Sequence, residues 1–131
     1  MTPWQHVRTA AVKKTRRESA RVAGMKNKKC VPCEVGGVPL KAEKIQKLLS
    51  RLSNSWSVEN NLKLKREFKY KDFIEAMKFV NKVADLAESE GHHPDLHIHY
   101  NKVLIELWTH AVGGLSENDF ILAAKIDALE S

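Results

Sequence analysis

The chain has 131 residues, enough for one domain with a hydrophobic core and too few for two catalytic domains. No apolar run approaches the roughly 18 to 20 residues of a membrane-spanning helix, and two cysteines exclude the disulfide framework of a small secreted domain. The formal net charge is +6, so nucleic-acid binding has to be weighed against the position of that charge. We expect a cytoplasmic protein without a membrane span.

The basic charge lies in the N-terminal segment. Residues 1–29 contain nine lysines and arginines and one acid, Glu18, whereas the rest of the chain contains 13 basic and 15 acidic residues. We expect residues 1–37 to form a basic, flexible extension and residues 38–131 to form the folded domain. An acid-poor, arginine-containing N-terminus also fits an organelle transit peptide, so organellar import stays open.

A turn-rich connector follows and contains both cysteines. Cys30 and Cys33 have the spacing of metal and redox sites, but the sequence has no second pair to complete a four-ligand zinc site. A thioredoxin-like motif requires a strand directly before the pair, and none is predicted there. We therefore interpret the two cysteines as part of the connector.

The first half of the domain predicts a helix, a hairpin and a second helix. Apolar residues at helical spacing predict a helix over 42–52, and alternation on both sides of the Asn60-Asn61 turn predicts a hairpin over 56–69. Asp72 can cap a long helix that ends near Gly91. The predicted buried stripe of this helix consists of Phe73, Ile74, Met77, Val80, Val83, Ala84 and Ala87.

The second half predicts another hairpin and a final helix. Alternating residues over 96–108 predict strands that turn at Asn101-Lys102. Ser116 and Asp119 have the spacing of a capping box, and the periodicity extends the helix to Leu129. The order αββαββα implies an α+β fold in which helices cover one face of a four-stranded antiparallel sheet.

Histidines are concentrated in this second half, and their clustering predicts a functional site. Five of the six lie within 19 residues: His92, His93, His97, His99 and His110. Imidazole titrates at about pH 6.5, so it supplies both a proton donor and a proton acceptor near neutral pH, and it also binds metals. Hairpin pairing would bring the loop at 92–93 close to His110. We interpret His97 and His99 as the polar face of a half-exposed sheet.

Several of these residues stand at the spacing of a known signature. The positions are Glu88, His92-His93-Pro94, Tyr100, His110 and Asp119, joined by Trp56, Tyr70 to Phe73, Tyr100 to Val103 and Gly114 to Ser116. Together they resemble the pterin-4a-carbinolamine dehydratases over about residues 38–130. The basic segment and the cysteine pair lie outside the resemblance.

The resemblance implies an enzyme and its reaction. The reaction is dehydration of 4a-hydroxytetrahydrobiopterin to quinonoid dihydropterin and water, which recycles the pterin after aromatic amino acid hydroxylation. It implies a hydro-lyase that uses no metal or organic cofactor, takes a pterin substrate and assembles as a homotetramer, a dimer of dimers. An unprotected sheet edge fits that assembly, because pairing between subunits covers it.

The resemblance also assigns the site, position by position. The substrate-binding positions are Gly91, His92, His93, Trp108, Thr109, His110 and Ala111, and the supporting positions are Glu88, Trp56 and Asp119. We predict that His92 and His110 form the acid–base pair, with acid and base left open, that His93 holds the pterin, and that Glu88 orients a histidine.

Two other function classes remain as alternatives. A histidine-cluster metal-binding module draws on His97, His99 and Glu106, which partly resemble a cupin motif, although the spacing from His99 to Glu106 is too long and the flanking helices argue against an all-β barrel. A nucleic-acid binder would depend on the basic tail alone and lacks a recognisable reading element, so we do not expect nucleic acid as a partner.

Overall fold

The computed structural model describes Met25, Asn27, Lys28, Cys30 and residues 37–130. Residues 37–130 form α1 (Ala42–Leu49), β1 (Ser57–Glu59), β2 (Lys63–Lys69), α2 (Phe73–Glu90), β3 (Asp95–His99), β4 (Lys102–Leu107) and α3 (Glu117–Leu129). A single 3-10 turn, His110–Val112, connects β4 to α3. The predicted αββαββα order is confirmed, although α1 ends at Leu49 rather than at residue 52. In this described part of the chain no helix has the length and apolar composition of a membrane span.

The four strands form one antiparallel sheet in the order β1-β2-β4-β3. Asn60 and Asn61 have φ values of 53° and 57°, the left-handed conformation that a tight hairpin turn requires. In the second hairpin His99 pairs with Lys102, so the turn lies at Tyr100 and Asn101, one residue earlier than predicted. β1 and β3 are the edges of the sheet.

The helices cover one face of the sheet, as predicted. Alternation turns five strand residues toward them, namely Leu64, Phe68, Val103, Ile105 and Leu107, each at most 5% exposed. The buried positions of α2 are Ala76, Phe79, Val80, Val83 and Ala87. α3 is buried on most of its surface because it lies in the centre of the helical layer.

The predicted stripe of α2 was partly wrong. Phe73 and Ile74 are 45% and 63% exposed, and Ala84 is also exposed. The rotation of the helix is fixed by Phe79, whose ring lies 4.6 Å from that of Phe68. That contact turns the first residues of the helix outward, so the buried face runs through Ala76 and Phe79 instead.

A buried polar network joins the first hairpin to α3. The indole nitrogen of Trp56 donates to both carboxylate oxygens of Asp127, at 2.9 and 3.0 Å, and the Arg66 guanidinium and the Ser53 hydroxyl also donate to that carboxylate. Burial raises the pKa of Asp127 even though Arg66, Trp56 and Ser53 act in the opposite direction. Trp56 is therefore a core residue that holds α3 against β1 and β2.

The described residues before position 37 also contact the domain. Met25 is 1% exposed and belongs to the hydrophobic core, and Lys28 pairs with Glu117 at 2.8 Å. Cys33 and most of residues 1–36 lie outside the described residues. The boundary at residue 38 and the flexible extension stay predictions.

Candidate active site

A pocket of about 370 Å³ opens where α2 ends, β4 ends and α3 begins. Its walls are residues 91–95, residues 108–111 and Asn118. The pocket therefore brings His92, His93 and His110 together, as the hairpin register predicted. All seven predicted substrate-binding positions lie on its walls.

The loop that carries two of the histidines is formed by the end of α2. Gly91 has a φ of 65°, the left-handed conformation that glycine adopts without strain, and the N–H of His92 donates back to the carbonyl oxygen of Ala87. Pro94 then restricts the residue before it. The chain thus leaves α2 in a sharp turn that places His92 and His93 at the rim of the sheet.

The register of β3 and β4 brings His110 to the same rim. Asp95, the first residue of β3, pairs with Glu106 near the end of β4. The chain continues from β4 into a turn closed by an isolated bridge between Thr109 and Gly114, and His110 begins its 3-10 segment. The start of one strand and the end of the other therefore face one pocket.

His92 is held by a buried carboxylate. Its Nε2 lies 2.6 Å from Oδ1 of Asp119, and the His92 and Asp119 side chains are 12% and 0% exposed. The second oxygen of Asp119 accepts from the Thr109 hydroxyl and from the backbone N–H of Ser116, both at 2.9 Å. Asp119 stands in the first turn of α3, where the helix dipole stabilises a negative charge. The predicted cap residue therefore also fixes the orientation of a pocket histidine.

His93 and Glu88 form an exposed pair. His93 Nε2 lies 2.9 Å from Oε1 of Glu88, and the two side chains are 59% and 80% exposed. Such a pair is weak in water, so it directs the ring without rigidly fixing it. Glu88 contacts His93 rather than either of the other two pocket histidines.

His110 lies against an aromatic wall. The centre of its ring is 3.8 Å from that of Trp108, at an interplanar angle of 36°. The Trp108 indole N–H donates to Oδ2 of Asp95 at 3.1 Å. Asp95 thereby restricts the indole, and the indole restricts one side of the His110 ring.

The other two clustered histidines lie outside the pocket. His97 Nε2 is 2.6 Å from Oε1 of Glu106 across the open face of the sheet, and His99 is exposed. The interpretation of this face as polar is confirmed. Within the part of the chain that the structure describes, no group of three or more His, Cys, Asp or Glu side chains is arranged to hold a metal ion, so the metal-binding alternative gains no support.

Three residues of the pocket walls were not predicted as site residues, namely Pro94, Asp95 and Asn118. Asp95 lines the pocket beside Pro94, and Asn118 lines it from the first turn of α3. The hairpin pairing offered a signal for Asp95, because the residue after a histidine loop and before a strand has to lie at the rim. Asn118 directly precedes Asp119, which the resemblance marks as a supporting position, so the resemblance offered a signal that the start of α3 approaches the site.

Comparison with known proteins identifies the family. The model for pterin 4 alpha carbinolamine dehydratase matches residues 38–129. A Rickettsia bellii (strain OSU 85-389) protein, assigned by name to the same dehydratase, is 50% identical over 107 residues, which cover 82% of this chain and 95% of that protein. Pterin-4-alpha-carbinolamine dehydratase 2, mitochondrial, from Arabidopsis thaliana is 49% identical over 114 residues, covering 83% of this chain and 60% of that protein.

A solved structure agrees with the sequence matches. The transcriptional coactivator/pterin dehydratase from Brucella melitensis superposes with a TM-score of 0.66 at 33% identity, covering 71% of this chain and 99% of the other. The resemblance noted in the sequence is confirmed, and with it the α+β fold. The chain therefore belongs to the pterin 4 alpha carbinolamine dehydratase family and is a hydro-lyase that acts on a pterin carbinolamine.

Proposed function

We propose that this chain dehydrates 4a-hydroxytetrahydrobiopterin by histidine acid–base catalysis in the pocket of residues 91–95 and 108–111. The observation that carries the proposal is the convergence of His92, His93 and His110 on one pocket, with His92 bonded to the buried carboxylate of Asp119. A pocket of about 370 Å³ is within the range of small-molecule sites.

The reaction requires two proton transfers. The bond between C4a and the hydroxyl oxygen breaks, a double bond forms between C4a and N5, and N5 loses its proton. An acid that protonates the departing hydroxyl releases water, and a base accepts the N5 proton, so atoms and charges balance without an oxidant or reductant. Positioned acid and base groups contribute about 10² to 10⁴-fold each. No step in this balance calls for a cofactor, and the predicted absence of one stays a prediction.

His92 is the base in this proposal. Asp119 accepts two hydrogen bonds at Oδ2, which fits a carboxylate, and a carboxylate at Oδ1 requires the proton of His92 to reside on Nε2. The lone pair is then on Nδ1. A buried carboxylate also stabilises the imidazolium that forms when Nδ1 accepts the N5 proton.

His110 is the acid. Its ring packs against Trp108 on the wall that residues 108–111 form, where it can give a proton to the departing hydroxyl. In this arrangement His93, paired with Glu88 at the open rim, holds the pterin rather than transferring protons.

The assembly and the cellular role are further parts of the proposal. β3 is an edge strand of the sheet, and Ile98 on that strand is 38% exposed, which supports pairing of this edge in a homotetramer, a dimer of dimers. Multi-angle light scattering of the full chain should give about four times the 14.9 kDa chain mass. A monomer mass would contradict the proposed homotetramer. The role in pterin recycling follows from the reaction, and the mitochondrial relative supports import through the basic N-terminus.

The decisive experiment follows the absorbance of freshly generated 4a-hydroxytetrahydrobiopterin with the parent protein, with His92→Ala and with His99→Ala. His99 is the matched control because it is a clustered histidine outside the pocket. We expect the parent and His99→Ala to accelerate dehydration equally, with or without a chelator, and His92→Ala to lose at least about 10²-fold. Equal activity of His92→Ala and the parent would contradict the assignment of His92.

A further inference from the structure

The short segment before the family match touches the support of the active site. The backbone N–H of Cys30 donates to Oε1 of Glu90 at 3.0 Å, and the thiol contacts the carbonyl oxygen of Asn118 at 3.7 Å. Lys28 pairs with Glu117, the first residue of α3. Lys28 and Cys30 therefore contact the last residue of α2 and the first turn of α3.

Glu90 is buried at a position that is unfavourable for an acid. It is the last residue of α2, where the helix dipole opposes a negative charge, and its side chain is only 4% exposed. Burial alone would raise the pKa of Glu90, but the Cys30 N–H and the Lys125 ammonium, 3.0 Å away, outweigh it and lower the pKa. The carboxylate is therefore stabilised by partners on two other segments of the chain.

Two contacts connect the same pair of elements on either side of Gly91. Lys125 of α3 holds Glu90, and Asp119 of α3 holds His92. The first contact fixes the end of α2, and the second fixes the histidine two residues later. Movement at Glu90 would displace His92 from Asp119, because only the glycine separates them.

We propose that Glu90 is a positioning residue of this active site, which Lys125 and the backbone of Cys30 hold so that His92 meets Asp119. The proposal rests on the proposed role of His92. It gives Cys30 a role in holding the active site, although this residue precedes the match to the family model.

The Cys30 thiol takes no part as a nucleophile, although it adds a weaker hydrogen bond to the Glu90 carboxylate. Burial, followed by the charge of Glu90, raises the pKa of this thiol to about 12, so it remains protonated and is a poor nucleophile. The larger contribution of Cys30 to Glu90 comes from its backbone N–H. A side-chain substitution at this position should therefore have a smaller effect than loss of the N–H.

The first test compares Glu90→Gln with Glu75→Gln in the full chain. Glu75 is the control because it pairs with Lys78 on the exposed first turn of the same helix. We expect kcat of Glu90→Gln to fall about 10-fold, while KM stays within about two-fold, because a displaced His92 impairs proton transfer more than binding. Hydrogen exchange of residues 87–95 should rise, and that of residues 57–69 should not. An unchanged kcat and an unchanged exchange pattern would overturn the proposal.

The second test removes only the donor. Cys30→Pro eliminates the N–H, and Cys30→Ala retains it, so the two variants separate the backbone from the thiol. We expect Cys30→Pro to lower kcat and to raise exchange of residues 87–95 clearly more than Cys30→Ala does. Equal losses in both variants would overturn the role of the backbone. Because the exchange measurement does not depend on turnover, the proposal about Glu90 can fail or succeed separately from the assignment of His92.

Discussion

The substitution Asp119→Asn isolates the link between the carboxylate and His92. Oδ2 of Asp119 accepts from Thr109 and from the Ser116 N–H, and an amide oxygen can retain both bonds. The amide NH₂ then replaces Oδ1 at 2.6 Å from His92 Nε2. Because an NH₂ group only donates, Nε2 has to become an acceptor, and the ring proton moves to Nδ1.

The expected loss follows from that change of tautomer. With its proton on Nδ1, His92 presents a donor to the substrate and cannot accept the N5 proton. Loss of a correctly oriented base corresponds to about 10² to 10⁴-fold in kcat, or about 3 to 5 kcal/mol of transition-state stabilisation. The fold should lose little, about 1 kcal/mol or less, because the cap of α3 is retained.

The assay is kcat for dehydration together with thermal unfolding, and Asp72→Asn is the matched control. Asp72 also caps a helix through its side chain, at 2.9 Å from the Glu75 N–H, but it lies outside the pocket. We expect Asp72→Asn to retain kcat with a comparable small change in Tm. If Asp119→Asn keeps kcat within about three-fold of the parent while folded, the tautomer argument is refuted.

Two further predictions concern stability. Trp56→Phe removes the indole donor from the buried carboxylate of Asp127 and should cost about 1 to 3 kcal/mol in denaturant unfolding, with kcat unchanged because residue 56 lies outside the pocket; a large loss of kcat in a folded variant would contradict this. The pKa of Glu90 is lower in the folded state than its ordinary value of 4.5, so the ionised Glu90 stabilises the fold above pH 4.5. This contribution disappears as the pH falls through the lower pKa of the folded state. Tm of the parent should therefore decrease below about pH 4.5 more steeply than Tm of Glu90→Gln; parallel curves would exclude this contribution.

The fold was largely predictable because its signals are local. Alternation of apolar residues identified β2 and β4, and the Asn60-Asn61 pair identified the first turn. The rotation of α2 was not predictable, since it depends on the contact of Phe79 with Phe68 from another element. Helical periodicity alone allowed a stripe starting at Phe73 as readily as one starting at Ala76.

The site likewise contains one contact that the sequence predicts and one that it does not. The position of His110 beside the histidine loop followed from hairpin register, which links residues that are distant in sequence. The bond between His92 and Asp119 did not follow from hairpin register, because it joins the end of one helix to the start of the next across 27 residues. The spacing of Asp119 indicates only a capping box, and the resemblance marks Asp119 as a supporting position without naming its partner.

Burial of Met25 limits how far the N-terminus of this protein can be truncated. The family model matches from residue 38, yet Met25 is 1% exposed within the hydrophobic core. A shortened chain that starts at residue 38 would leave that part of the core open to water and would forgo about 1.5 to 3 kcal/mol of apolar burial. It would also lose the Cys30 N–H that contacts Glu90. The match to the family model is therefore shorter than the stretch of chain that contributes to the core, and low activity in such a fragment would reflect the cut rather than the enzyme.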